Sequence, residues 1–473
     1  MPAPSTTRFL VPLIVACALF MENLDSTVIA TAVPAIARSF GEDPLRLNLA
    51  ITSYLLSLAV FIPLSGWMAD RFGARSVFRM AIVVFTVGSV CCGFAQSLPE
   101  LVAARILQGM GGAMMVPVGR LVMLRTVPKS ELVRAMSYLT VPALIGPVLG
   151  PPLGGFIVTY GSWRWIFFIN LPIGLLGITL ASIFIENVKE TETWPLDLLG
   201  FGLSAVGLSG LVFGFETVGR GVVPEYMVAA LFATGAVATA LYVVHARLRS
   251  YPIIDLSLLS IPTFRGAIVG GSLFRIGIGA TPFLLPLMLQ LGFGLSPFAS
   301  GLLTFASAAG ALTMKLTAAP IIRALGFRQV LVGNAVVSSL FLASYGLFSP
   351  ATPHWLIIAL LLSGGFFRSL QFTSINTLSF ADVPPAMMSR ATSFASMVQQ
   401  LSMSIGVGTG ALLLHVTLSI HGRTELAAGD FSPAFAAIAA ISLASIALFL
   451  PLAREAGAEV SGHRYRPAPP SAS

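Results

Sequence analysis

The sequence predicts an all-α polytopic membrane protein of fourteen spanning helices, arranged as two six-helix bundles with a helix pair inserted between them. Three observations carry this. Of 473 residues, 56% are apolar and only 10% charged, with a mean hydropathy of +0.89, whereas a soluble domain carries about 25% charged residues. The apolar residues fall in long uninterrupted blocks separated by short polar stretches, and about 18 such residues suffice to cross the hydrocarbon of a bilayer. The second half of the chain also repeats motifs of the first at a nearly constant offset.

Each span is read from an apolar block and the charges or turns that bound it. The first, residues 9–37, follows a short polar start and runs unbroken past Phe20 to Ala37. It is long enough to cross and lacks the pattern of a cleavable signal, so it is expected to stay in the protein. Arg38 and Arg46 divide it from the second span, 47–68, which ends in a polar loop at 66–75. Spans at 77–96 and 99–125 follow, the latter closed by Arg125 and Lys129, and then spans at 132–159 and 164–185, which turn at Arg164. Polar segments 186–195 and 247–262 bracket a pair at 197–217 and 225–246. The remaining spans are expected at 264–290, 297–322, 329–348, 355–379, 391–417 and 431–453. The organisation expected is a first bundle over 1–185, a linker with the inserted pair over 186–262, a second bundle over 263–454 and a disordered cytoplasmic tail over 455–473.

The net charge of +8 is spread among turns and does not mark a nucleic-acid surface. With a cytoplasmic N-terminus, seventeen basic residues fall on the inner side and five on the outer. The positive-inside rule then places both termini in the cytoplasm, and the expected location is the bacterial cytoplasmic membrane. The other five, Arg105, Arg120, Arg275, Lys315 and Arg368, lie inside spans. Three cysteines, all within apolar blocks, offer neither a disulfide framework nor metal spacing. None of Lys129, Lys189 and Lys315 follows a glycine, which excludes a Walker A lysine in this chain. The five histidines are scattered and no HExxH or Gly-x-Ser-x-Gly occurs, so no enzyme or metal centre is expected. No cofactor is expected either, and a carrier of this kind must draw on an ion gradient.

The repeat is visible in several places. Gly66 to Arg75 is echoed 253 residues later by Ala319 to Arg328, and Gly111-Gly112 by Gly364-Gly365. At an offset of 256, Gly150 and Gly154 fall on Gly406 and Gly410. Related halves are a common construction among transporters. The residues also carry a resemblance. Gly66 to Arg75 resembles the loop between helices 2 and 3 of the major facilitator superfamily, and Leu101 to Ala113 resembles its helix-4 motif. Gly146-Pro147-Val148-Leu149-Gly150-Pro151-Pro152-Leu153-Gly154-Gly155 is similar to its helix-5 antiporter signature. Leu24 to Thr27 with Pro34, and Trp163 to Pro172, are similar to the fourteen-span drug:proton antiporters. Two positions depart from the pattern: Ala30 stands where the subfamily often has Asn, and Arg323 replaces the acid of the second-half loop. The resemblance implies proton-coupled export of amphipathic cationic or neutral drugs by a monomer in the lipid bilayer. The alternative left open is proton-coupled transport of an anionic or zwitterionic metabolite or lipid.

The residues themselves point to candidate sites. An ionised carboxylate in hydrocarbon costs about several kcal/mol, so an acid inside a span is a functional candidate. Of 19 acidic residues only Glu22 and Asp25 lie well inside one, three apart on one helix face, while Glu216 sits near a helix end. Arg105 is the expected partner of this pair, with snorkelling to the outer surface as the plainer alternative; together the three form the expected proton-coupling site. Because Asp25 falls in the antiporter-like motif and Glu22 does not, the resemblance makes Asp25 the proton carrier and Glu22 a cavity acid. Asp70, Arg71, Gly73 and Arg75 are the expected cytoplasmic gate, able to latch the halves in one state. Gly146, Pro147, Gly150 and Gly154 give a smooth helix face suited to close packing or bending. Arg275 and Arg368 are expected in the substrate cavity, and Lys315 either there or snorkelling to the cytoplasm.

Overall fold

The structure, a computed structural model, describes residues 5–126, 145–146, 149–187, 195–217, 224–384, 387–423 and 425–461. Among the described residues it is helical throughout with no strand, and thirteen helices are long and apolar enough to cross a membrane. In chain order the helices are α1 (Ser5–Phe40), α2 (Asn48–Phe61, continued by Leu64–Phe72), α3 (Ala74–Phe94), α4 (Leu98–Thr126), α5 (149–160) and α6 (Trp165–Phe184). They continue as α7 (Leu198–Thr217), α8 (Glu225–Leu248), α9 (Pro262–Gly292), α10 (Pro297–Leu325), α11 (Phe327–Tyr345), α12 (His354–Ser379), α13 (Met388–His421) and α14 (Ala428–Phe449). The span expected at 132–159 and the tail expected over 455–473 lie partly outside the described residues; the described part of the tail is ordered, with Gly457 against Phe327 and a helical turn at Ala458–Ser461.

Two local features depart from the expected spans. The stretch 66–75, read as a loop, is helical as far as Phe72, and the chain turns only at Gly73 with φ +90°. A side chain rarely adopts that backbone, which is why glycine stands there. Gly326 makes the same turn between α10 and α11 with φ +77°, 253 residues later. The second span is interrupted at Ile62 and Pro63, since proline has no N–H to give the preceding turn.

The repeat seen in the sequence is also a repeat of packing. Gly150 and Gly154 of α5 lie against Thr27 and Thr31 of α1, and Gly406 and Gly410 of α13 lie against Ile276, Ala280 and Leu284 of α9. Gly111 seats α4 on Phe85 of α3, while Gly364 seats α12 on Tyr345 of α11. Gly112 faces Tyr54 and Leu58 of α2, and Gly365 faces Ser307 of α10. Without a hydrophobic drive between helices in lipid, close backbone approach supplies the association, and small residues allow it. The inserted helices pack on each other where Gly210 meets Gly235, and α7 rests on α2 through Val212, Leu56 and Val60. Tyr226, Val237, Leu241 and Val244 of α8 are exposed, as a lipid-facing surface would be.

Outside the spans, Asp197 clasps the start of α7 to the end of α8 through His245 Nε2 at 2.7 Å. Burial pushes the Asp197 carboxyl up, but His245 and the N–H groups of Gly200 and Ile253 outweigh it and hold it below the usual carboxylate range. Hydrogen bonds between the two halves gather at the end of the molecule that carries Phe40, Tyr160 and Pro297. Gln290 Nε2 donates to the Thr31 carbonyl at 3.0 Å, Phe298 N to Thr159 Oγ1 at 3.0 Å, and Ser404 Oγ to the Thr52 carbonyl at 3.2 Å. This is the end expected to face outward, so the state described is closed there.

Candidate functional site

Asp25 lies in α1 and is 3% exposed; Arg105 in α4 is fully buried. Arg105 Nη1 donates to Asp25 Oδ2 at 2.5 Å, and its Nε donates to the Ala50 carbonyl of α2 at 3.0 Å. The guanidinium stacks 4.1 Å above the Tyr54 ring, an attraction that grows when water is excluded. Arg105 therefore points inward and does not snorkel. Two amides complete the site. Gln108, one turn along α4, donates Nε2 to Asp25 Oδ1 at 2.9 Å while its Oε1 accepts from Arg105 at 2.7 Å. Asn170, at the start of the longer segment of α6, donates Nδ2 to the same Asp25 oxygen at 2.9 Å and to Ser89 Oγ at 2.9 Å. Ser89 in turn donates to the Phe167 carbonyl at 2.9 Å. Five helices of the first half thus converge on one carboxylate, and the donors around it match its ionised form.

Between the halves lies a cavity of about 200 Å3. Its wall includes Thr31 of α1, Pro151 of α5, Leu285 of α9, Ser307 and Lys315 of α10, and Arg368 of α12. Lys315 Nζ donates to Thr373 Oγ1 at 2.8 Å. Arg368 makes no hydrogen bond to a described residue. No acid lines this cavity among the described residues. Two residues expected on its wall are elsewhere. Glu22 is buried, 8% exposed, one turn before Asp25. Arg275 is 1% exposed and turns into the second half, where Nη2 donates to Asn376 Oδ1 at 2.9 Å. Gly271 leaves its guanidinium room, because a Cβ there would come within 3.1 Å of Nη1.

The remaining candidates lie at two helix boundaries. Asp70 is half-buried at the end of α2 and Arg71 is exposed. Arg75 Nη1 donates to the carbonyl of Ile185, the last residue of the α6 turn, at 3.2 Å. A cation there offsets the negative end of the α6 dipole. Asn187 fits against Gly73 and accepts from Ser76 N at 3.3 Å. The contacts of Arg75 and Gly73 stay within the first half. Gly146, Gly150 and Gly154 pack on Asn23, Thr27 and Thr31, flanking the turn that carries Asp25. Pro147 lies outside the described residues. On the other face of α5, Gly155 meets the Pro297 backbone, and Gly301 of α10 meets the Pro151 carbonyl.

Gln108, Asn170 and Ser89 were not singled out from the sequence. Two of them stand inside stretches that were, Leu101 to Ala113 and Trp163 to Pro172. A neutral amide in an apolar span is itself a signal, since its polar atoms need partners there.

Comparison with known proteins gives a consistent picture. A sequence profile described as Major Facilitator Superfamily matches residues 15–407 and, in a second alignment, 267–472. A protein of Salmonella paratyphi B (strain ATCC BAA-1250 / SPB7), named MdtD for multidrug resistance, is 43% identical over 417 residues, covering 87% of each chain. The protein of the same name from Shigella boydii serotype 4 is 41% identical over 419 residues, 88% of each chain. Among solved structures, the D-xylose-proton symporter superposes with a TM-score of 0.68 over 95% of this chain and 99% of that one, at 16% identity. That last likeness is one of fold.

Proposed function

Because the chain belongs to the major facilitator superfamily, and is a multi-pass membrane transporter, not an enzyme, we propose that it exports small amphipathic compounds in exchange for protons by alternating access. The observation that carries the proton coupling is Asp25, a buried acid held by Arg105, Gln108 and Asn170 within spans otherwise poor in carboxylates. In the state closed at the Tyr160 end, those donors favour the carboxylate. A rearrangement that loosens the Arg105 pair with Asp25, while Arg105 keeps its bond to Gln108, lets Asp25 take up a proton, so protonation and conformation are linked. Asp70, Arg71, Gly73 and Arg75 would close the opposite end when it swings shut. The glycine row of α5 lets that helix shift between α1 and α10. The working unit in this reading is a monomer in the bacterial cytoplasmic membrane with both termini inside, and the proton gradient takes the place of a cofactor. Relatives named for multidrug resistance support drug-like substrates.

The cavity wall favours a second reading of substrate charge. Lys315 and Arg368 line it with no acid, and Glu22 is not on it, so an anionic or zwitterionic compound is better matched than a cation. Purified protein in liposomes with an imposed pH gradient tests the function. Accumulation of substrate against its gradient should depend on that pH gradient and collapse with a protonophore. Uphill movement that persists with no ion gradient would overturn the reading.

A further inference from the structure

Three side chains donate to Asp25, but they are not equivalent. Arg105 can only donate. Gln108 could in principle present either end of its amide, yet Oε1 already accepts from Arg105 Nη1 at 2.7 Å and has the Cys92 thiol beside it at 3.6 Å. Its orientation is fixed by the cation. Asn170 differs: Nδ2 serves both Asp25 Oδ1 and Ser89 Oγ, while its Oδ1 is buried and has no hydrogen-bond partner among the described residues. Among the described residues, only the charge of Asp25 and the lone pair of Ser89 hold that amide.

We propose that Asn170 is the positioning residue that adapts to the protonation of Asp25, turning its amide by half a revolution when the carboxylate takes up a proton. A protonated Asp25 has an O–H that needs an acceptor, and its other two neighbours offer none. Once turned, Asn170 places Oδ1 where Nδ2 stood, within reach of both the Asp25 O–H and the Ser89 hydroxyl. Ser89 then leaves the Phe167 carbonyl, to which it donates now at 2.9 Å. That carbonyl lies beside the interruption between the two segments of α6, Trp165–Phe168 and Asn170–Phe184. The protonation state of α1 is in this way passed to the broken turn of α6. The proton itself comes from water, with no other bond made or broken. Among the described residues, the charged and titratable groups facing Asp25 are Glu22 on α1, Tyr54 on α2, Cys92 on α3 and Arg105 on α4; α5 presents Gly146 and Gly150 to the neighbouring turn, and α6 presents Asn170.

The inference rests on Asp25 as the proton-exchanging group, and the test separates the two. Infrared difference spectra of the full chain in nanodiscs, titrated with pH, follow the carboxylic C=O band, which Asp25→Asn assigns by its loss. Asn170→Leu removes the adaptable amide at similar size. Proton binding at Asp25 should tighten about tenfold as a charge-assisted donor is lost, and the acid band should move to higher frequency because its O–H lacks an acceptor. Asn170→Ser, which can both donate and accept, should restore most of both. A purely structural role would lower thermal stability in both variants and move neither midpoint nor band. If Asn170→Leu is folded and leaves both unchanged, or if Asn170→Leu does not fold and Asn170→Ser shows wild-type values with Ser89→Ala leaving the acid band unmoved, the proposal is overturned. Coupled transport persisting in Asp25→Asn would remove the proton-exchange reading, while the response of the band to Asn170 is read independently.

Discussion

Four neighbours hold Arg105 in place: the Asp25 carboxylate, the Gln108 amide oxygen, the Ala50 carbonyl and the face of the Tyr54 ring. Charged residues in apolar spans are visible in the sequence, so Asp25 and Arg105 could be picked out and their pairing expected, with snorkelling of Arg105 as the alternative. What the sequence does not contain is direction. Arg275 and Arg368 are both single cations inside second-half spans, yet Arg275 turns to Asn376 inside the second half, while Arg368 faces the cavity. Helical periodicity fixes the face of a residue only to within the uncertainty of where its helix begins. The amides were missed because, unlike charges, they are tolerated in spans in several roles. The residue-scale expectation concerns Arg105. A guanidinium at about 4 Å contributes up to about 4 kcal/mol at an effective dielectric of 20, equivalent to nearly three pH units. Arg105→Ala should move the midpoint of substrate-linked proton release to higher pH by about one to three units. Arg368→Ala should leave it in place and weaken the proton release evoked by anions relative to neutral compounds. Both are read from proton release on substrate addition across pH in detergent.

Among the elements, spans were legible almost to the residue where charge or proline ends them, as at Pro297 and His354. They were least legible where the signal is conformational. Gly73 looks from its polar neighbours like the middle of a loop, but α2 continues to Phe72 and α3 begins at Ala74, so one positive-φ residue makes the whole turn. Its partner Gly326 shows that the requirement belongs to the repeat and not to the acid, which only the first half retains as Asp70. Asn187, which occupies the space a Cβ at Gly73 would fill, sits more than a hundred residues away in sequence and carries no local sign of it. Gly73→Ala should therefore cost stability twice, about 1–2 kcal/mol for the left-handed backbone and a further amount for the collision with Asn187. Adding Asn187→Ala should recover only the second part. Thermal unfolding of the purified variants measures both. Full recovery would mean that the turn tolerates a side chain and that the glycine serves packing alone.

On the scale of the whole molecule, composition and the offset of 253 to 256 residues were enough for two related halves and an inserted pair, because helix packing in lipid depends on small residues whose spacing is written in the chain. The conformational state was not legible. Which end is closed depends on contacts such as Gln290 to Thr31 and Phe298 to Thr159, pairs of ordinary residues from distant segments. The closed end and the buried carboxylate lie in the same bundle of constraints: α1 supplies Asp25 and Thr31, and α5 packs along α1 by Gly150 and Gly154 while touching α10 by Gly155. In this account, opening that end shifts α1 or α5 within the first half, and with it the surroundings of Asp25. The account's central claim is that the charge of this one carboxylate ties the proton gradient to the movement of the halves. Transport by Asp25→Asn in liposomes tests it most directly, comparing pH-gradient-driven accumulation with exchange of substrate down its own gradient. The account predicts that accumulation is lost while exchange continues, since the amide neither takes up nor releases a proton. Undiminished pH-driven accumulation by Asp25→Asn would contradict it.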